Sequence, residues 1–154
     1  MTRILSIISL VLILSLAVFA QGEKSNPKKN PGTETILPAL KSSPAFAEIS
    51  LRRTELRADV ESLLVTYTEE FPKVMESRYE LEVLSRELTR LLGVKLEESS
   101  RLTQALGKLI VRKAELETDW WSLQKKYGDD HPDVKRARKK ADIFENSIKE
   151  ILVG

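Results

Sequence analysis

A chain of 154 residues allows one ordinary domain. It is 42% hydrophobic and 31% charged but only 6% aromatic, which suits long helices better than a broad mixed core. The formal charge of +2 does not call for nucleic acid, and with no cysteine a disulfide framework and a lipid-modified cysteine anchor are excluded.

The first segment is a short basic start, Met1-Thr2-Arg3, followed by an apolar run from Ile4 to Phe19. Val18 and Ala20 are the small residues a signal peptidase reads, and polar Gln21-Gly22-Glu23 follows. The pattern predicts a signal peptide over 1–20 and a periplasmic or secreted product starting at Gln21. The alternative is an uncleaved helix that anchors the chain, the one case in which membrane contact is expected. An apolar run of roughly seventeen residues sits at the lower edge of what spans a bilayer. Residues 21–44 are rich in Pro, Lys and Ser, with Pro27, Pro31, Pro38 and Pro44 spread through them. Prolines at that spacing prevent a continuous helix and the apolar content is too low for a core, so a disordered linker is expected.

A helical domain is predicted over 45–154. In the first helix, 45–70, Ile49, Leu56 and Leu63 recur every seven residues, Val60 and Tyr67 fill the intermediate positions, and Arg53 interrupts them. Pro72 ends it. Next, Val74, Leu81, Leu88, Lys95, Leu102, Leu109, Leu116 and Leu123 keep one seven-residue register. Leu84 and Leu91 complete the first half of this seam; Leu106, Trp120 and Tyr127 complete the second, one residue later in the repeat. The shared register predicts one helix over 72–127, roughly 80 Å long. The weak zone is Gly93 to Ser100, and the alternative is a break at Gly93, folding the chain into a compact four-helix bundle. A last helix, 132–153, is marked by Val134, Ala137, Ala141, Phe144, Ile148 and Ile151.

Two stretches sixty residues apart share a pattern: Tyr67-Thr68-Glu69-Glu70-Phe71-Pro72-Lys73-Val74 and Tyr127-Gly128-Asp129-Asp130-His131-Pro132-Asp133-Val134. At the same offset Arg52-Arg53-Thr54-Glu55-Leu56 aligns with Arg112-Lys113-Ala114-Glu115-Leu116. The expected fold is all-α: extended antiparallel coiled-coil hairpins built from an internal 60-residue repeat, with a long central helix and a turn at each tip. A rod two helices thick leaves Val83, Leu92, Val94, Leu96, Ile110, Val111, Trp121 and Ile143 in need of cover, so a homo-oligomer is expected.

The turns hold the residues that invite a chemical reading. Asp129, Asp130, His131 and Asp133 have metal-ligand side chains, but one His with three Asp in a tight turn is a poor ligand set. Asp130 is expected to cap the last helix, with Asp133 at the capping-box position, and Glu70 is the matching acid of the first turn. Tyr67 and Tyr127 are expected to brace the turns, His131 to pack like its counterpart Phe71, and Pro72 and Pro132 to start the returning helices. Neither a catalytic residue nor a metal or other cofactor is expected. Trp120 lies on the seam. Trp121, where the first copy has Glu61, is a candidate partner contact. Lys135, Arg136, Arg138, Lys139 and Lys140 form a basic run with two readings: a solvated helix face, or a contact for anionic lipid or acidic polysaccharide.

The second turn, with the Leu/Ile-patterned helix around it, resembles the periplasmic coiled-coil segments of bacterial polysaccharide chain-length-determinant and exopolysaccharide-transport proteins. The resemblance covers about 109–152, and more weakly 49–92, where Phe71 stands in place of His. It implies an envelope setting and an extended, oligomeric helical arm. The family's membrane-proximal αβ domain, second membrane span, nucleotide-binding kinase domain and tyrosine-rich tail are not seen in this sequence, so chain-length control is not carried over and no catalytic residue transfers. The expectation is an exported, non-enzymatic structural or adaptor protein of the cell envelope with an envelope protein as partner, beside surface-polysaccharide export. The alternative is a periplasmic holdase-type chaperone.

Overall fold

Each helix begins with a local reason to begin. In the computed structural model, which describes residues 37–153, α1 (Pro44–Leu64) starts behind Ser43, whose side chain accepts the Phe46 N–H, with proline in the first turn. Helix α2 (Pro72–Leu92) starts behind Phe71 with proline again in the first turn but no side-chain cap. Helix α3 (Gln104–Tyr127) starts behind Thr103, which accepts the Leu106 N–H. Helix α4 (Pro132–Val153) starts on Pro132, with Asp133 in its first turn. All described regular structure is helical. The expected signal peptide lies outside the described residues, as does most of the expected linker. The linker's last residues depart from expectation: 37–41 form a helical turn, and Leu40 is buried in the core at 1% exposure, so apolar burial orders them.

The single helix expected over 72–127 does not form. Helix α2 stops at Leu92, a 3₁₀ segment runs from Leu96 to Arg101, and α3 starts only at Gln104. The Gly93 N–H turns back onto the Arg90 and Leu91 carbonyls. Lys95 and Glu97 are exposed. Leu102 leaves the seam to enter the core at 1% exposure, and its carbonyl accepts the Ala45 N–H at 3.1 Å. A glycine and a run of polar residues weaken the helix here, and burial of Leu102 rewards the fold-back.

The fold-back replaces the expected rod. Helices α1, α2 and α3 pack against one another, and α4 packs on α3. Ile49, Leu56, Val83, Leu84, Leu88, Leu91, Leu106, Ile110 and Ile148 share one core with Leu40 and Leu102. Val83 and Ile110, expected to need a partner chain, are fully buried within this one. Leu96 and Ile143 remain exposed. Alternating helix directions bring both Tyr…Pro turns to one end of the bundle. The 3₁₀ segment, the turn at 37–41 and the last turn of α4 meet at the other, where Arg101 donates to the Leu152 carbonyl at 2.7 Å. Gly107 permits the tightest crossing: a Cβ there would lie 2.8 Å from the Glu48 Cβ and 2.9 Å from the Ala45 Cα.

Charged groups cross the helix interfaces too. Arg52 reaches from α1 to Glu80 of α2 at 2.8 and 3.2 Å. Lys113, only 6% exposed, reaches Glu87 of α2 at 2.5 Å, Glu117 at 3.2 Å and Glu145 of α4 at 3.2 Å. Burial disfavours its charge, but the hydrogen bond to Glu87 and the fields of Glu87, Glu117 and Glu145 outweigh that and hold the ammonium above its ordinary range. Burial likewise disfavours the Glu145 carboxylate, yet Lys113, Arg90 and Lys149 hold it below the usual carboxylate range.

Candidate functional site

The two turns arrive at the same end by the same device. In the first, Tyr67 stacks on Phe71, centroids 4.0 Å apart and planes 10° apart. In the second, Tyr127 stacks on His131 at 4.4 Å and 18°. The Pro that follows each ring starts the returning helix. The second turn is tighter because Gly128 adopts φ 78°, a conformation side chains resist. Thr68 occupies that repeat position in the first copy, and both turns close through the ring residue's amide: Phe71 N–H to the Thr68 carbonyl at 3.1 Å and His131 N–H to the Gly128 carbonyl at 3.4 Å.

The capping scheme differs from the one expected. Asp130 is fully exposed and pairs with Lys135 at 3.1 Å. His131 takes the capping role, its Nδ1 accepting the Asp133 N–H at 3.2 Å. Stacking on Tyr127 sets the imidazole over the first amides of α4, while Gly128 swings the preceding acids outward. Asp133 pairs with Arg136, and that hydrogen bond holds its carboxyl below the ordinary range. Asp129 accepts from Gln124. In the first turn Glu70 does not cap α2 either: hydrogen bonds from Thr68 and from its own backbone stabilise the carboxylate and lower its pKa. The acids of the second turn thus point to separate partners. Among the described residues no three His, Asp or Glu side chains are grouped to hold one ion.

Below the turns lies an aromatic layer. Trp121, half-buried, stacks on Tyr79 of α2 at 4.6 Å, and the Lys125 ammonium sits 4.0 Å above its ring. Trp120 packs inward with Arg138 over its ring at 5.6 Å; its indole N–H is buried without a hydrogen-bond partner. Beside this layer a cleft of about 650 Å³ runs between α3 and α4. Leu116, Leu123 and Ala137 form its apolar floor; Arg112, Asp119, Arg136 and Lys140 rim it, and Glu76 of α2 closes one edge. Glu76 accepts from Ser122 at 2.9 Å.

Among the residues singled out in the sequence, the turn set is gathered at one end and Trp121 lies next to it. The basic run is dispersed. Lys135 and Arg136 pair with acids of the turn, Arg138 covers Trp120, and Arg136 and Lys140 border the cleft. The sequence assigns no site role to Tyr79, Arg112 or Asp119: the fold-back that sets α2 beside α3 brings Tyr79 onto Trp121, and the packing of α4 on α3 makes Arg112 and Asp119 line the cleft. No helix among the described residues is long and apolar enough to cross a membrane. Comparison with known proteins finds no matching family model, no matching curated protein and no matching solved structure.

Proposed function

We propose that this chain is an exported, non-enzymatic helical adaptor of the cell envelope, self-associating, whose turn end is the surface offered to an envelope partner. The observation that carries the reading is the convergence of both Tyr…Pro turns, each braced by a stacked ring pair, beside the Tyr79–Trp121 stack and an open cleft. Rigid aromatic rings with a polar rim are what partner surfaces favour. Helices α1–α2 and α3–α4 are, on this reading, two antiparallel coiled-coil hairpins derived from one 60-residue unit. The like geometry of the two stacked turns supports that origin. The basic start, apolar run and Val-x-Ala site of residues 1–20 support export, and the resemblance of the second turn supports a setting beside surface-polysaccharide export.

The test has two arms. The exported protein should begin at Gln21 by N-terminal sequencing, and a photo-crosslinker at position 121 should link to one discrete envelope protein. An unprocessed chain retained inside the cell would overturn export. Uniform suppression of aggregation of unfolded membrane proteins at stoichiometric amounts, with no discrete crosslink, would replace the adaptor with a holdase.

A further inference from the structure

Helix α3 packs into the groove between α1 and α2, and it does so with one stripe. Gly107, Ala114 and Thr118 of that stripe are buried, and Val111 and Trp121 are half-buried. The stripe touches both walls of the groove. Gly107 lies against Ala45 and Glu48 of α1, Trp121 stacks on Tyr79 of α2, and Lys113 beside the stripe pairs with Glu87 of α2. Between Tyr79 and Glu87, Val83 is left 0% exposed.

Sixty residues earlier the same stripe runs along α1 as Ala47, Leu51, Thr54, Ala58 and Glu61. Steps of four, three, four and three keep it on one face. All five residues are exposed, Leu51 at 57%. The groove recurs as well, between α3 and α4. Lys139 and Ile143 hold the places of Tyr79 and Val83 there. Lys139 is exposed, and Ile143 is 53% exposed. The cleft opens along this groove, with Leu116 and Ala137 of its floor in the places of Leu56 and Ser77. The described chain thus carries one filled groove, one open groove and one uncovered stripe.

The sequence changes between the copies match across the two open surfaces. Shifted by sixty residues, each contact of α3 with the first hairpin becomes a contact of α1 with a second α3–α4 groove. The Trp121–Tyr79 stack becomes Glu61 against Lys139, an aromatic pair exchanged for an ion pair. Glu115 beside Arg52, at 4.0 Å, becomes Glu55 beside Arg112. Glu117 beside Arg86 becomes Arg57 beside Asn146, and Lys113 on Glu87 becomes Arg53 on Ser147. None of these sets like charges together. Lys140 stands where Glu80 answers Arg52 in the first hairpin. The open groove is therefore the more positive one, and the incoming Glu55 and Glu61 complement it.

We propose that α1 of one copy docks in the α3–α4 groove of another, as α3 docks in the α1–α2 groove of its own chain. The contact is heterologous: each copy gives its stripe to one neighbour and its groove to the next, so copies add head to tail. The inference rests on the reading of the two hairpins as copies of one unit.

Sedimentation velocity of the purified exported protein over a range of concentrations tests it. Species larger than a dimer should appear as concentration rises. Leu51→Asp spoils the stripe and Ile143→Asp spoils the groove. Each should give a monomer, with the helical circular-dichroism signal and dilute-solution melting temperature unchanged, because both positions are open in the single chain. Mixing the two variants should give a one-to-one dimer and nothing larger, since one stripe and one groove remain. Lys139→Glu should weaken association about fivefold, and adding Glu61→Lys to it should restore association. A monomer at every concentration, a dimer as the largest wild-type species, a mixture that stays monomeric, or a double variant that fails to recover would each overturn the proposal. If the position-121 crosslink persists in such a case, the adaptor reading stands without this contact.

Discussion

The two ends of the bundle are built from different materials. At the closed end Leu40, Ala45, Leu102 and Leu106 are essentially without exposure, Gly107 lets α1 and α3 touch backbone to side chain, and Arg101 ties the connector to the last turn of α4. At the turn end Tyr67 and Tyr127 stay 46% and 45% exposed, and order comes from ring stacking, short hydrogen-bonded turns and surface ion pairs. The closed end spends its residues on cohesion. The turn end keeps Val74 and Val134 buried beneath its turns, but its tips are held by local contacts and their rings stay open to solvent. On the proposed reading, stability and partner binding are separated along the bundle axis, and substitutions should separate them too.

The largest loss should come from Lys113→Ala. It leaves the buried Glu87 carboxylate with only Arg90, at 3.5 Å, while Glu145 keeps Arg90 and Lys149, and should cost roughly 3 kcal/mol, read as the shift in urea-unfolding free energy. Gly107→Val should follow at about 2 kcal/mol or more, since the added carbons meet Ala45 backbone that cannot yield as a flexible side chain would. At the other end Trp121→Ala should cost only about 1 kcal/mol, measured the same way, while abolishing any partner crosslink next to it. A large stability loss from Trp121→Ala would erase the distinction between the ends. Smallest is the pH effect. Glu145 is held below its ordinary value of 4.5, so its contribution is present above 4.5 and lost as pH falls through the lowered folded value. Lys113 is held above 10.5, so its contribution is present below that value and lost as pH rises through the raised one. Unfolding midpoints against pH should therefore decline first in acid below 4.5, and Glu145→Gln should flatten that arm.

Much of the core was legible. Ile49, Leu56, Val60, Val74, Leu84, Leu88, Leu91, Leu106 and Ile148 were read from helical spacing alone and are buried, because a packed helix must repeat its apolar residues every three or four positions. The break in the middle was not the favoured reading, for a physical reason. A seven-residue register is a count along the chain, and it survives when the chain folds back. Lys95, Gly93 and the Thr103 cap carried the contrary signal. The capping of α4 was misread because short acids are the commonest caps; nothing in the sequence alone shows that Gly128 turns Asp130 away and leaves an imidazole nitrogen over the first amides. The cleft needed tertiary knowledge outright. Its walls come from α3 and α4, and neither helix's own pattern shows which of its faces meets the other.

The hydrogen bond from Arg101 to the Leu152 carbonyl carries one more meaning. It marks the end where the described chain both enters, near residue 37, and leaves, near residue 153. Whatever grips the protein at residue 37 or residue 153 grips it from below, as a handle. The turns then face away from the support like the business end of a tool, so a crosslink made at Leu37 or Val153 should leave their reach and orientation intact.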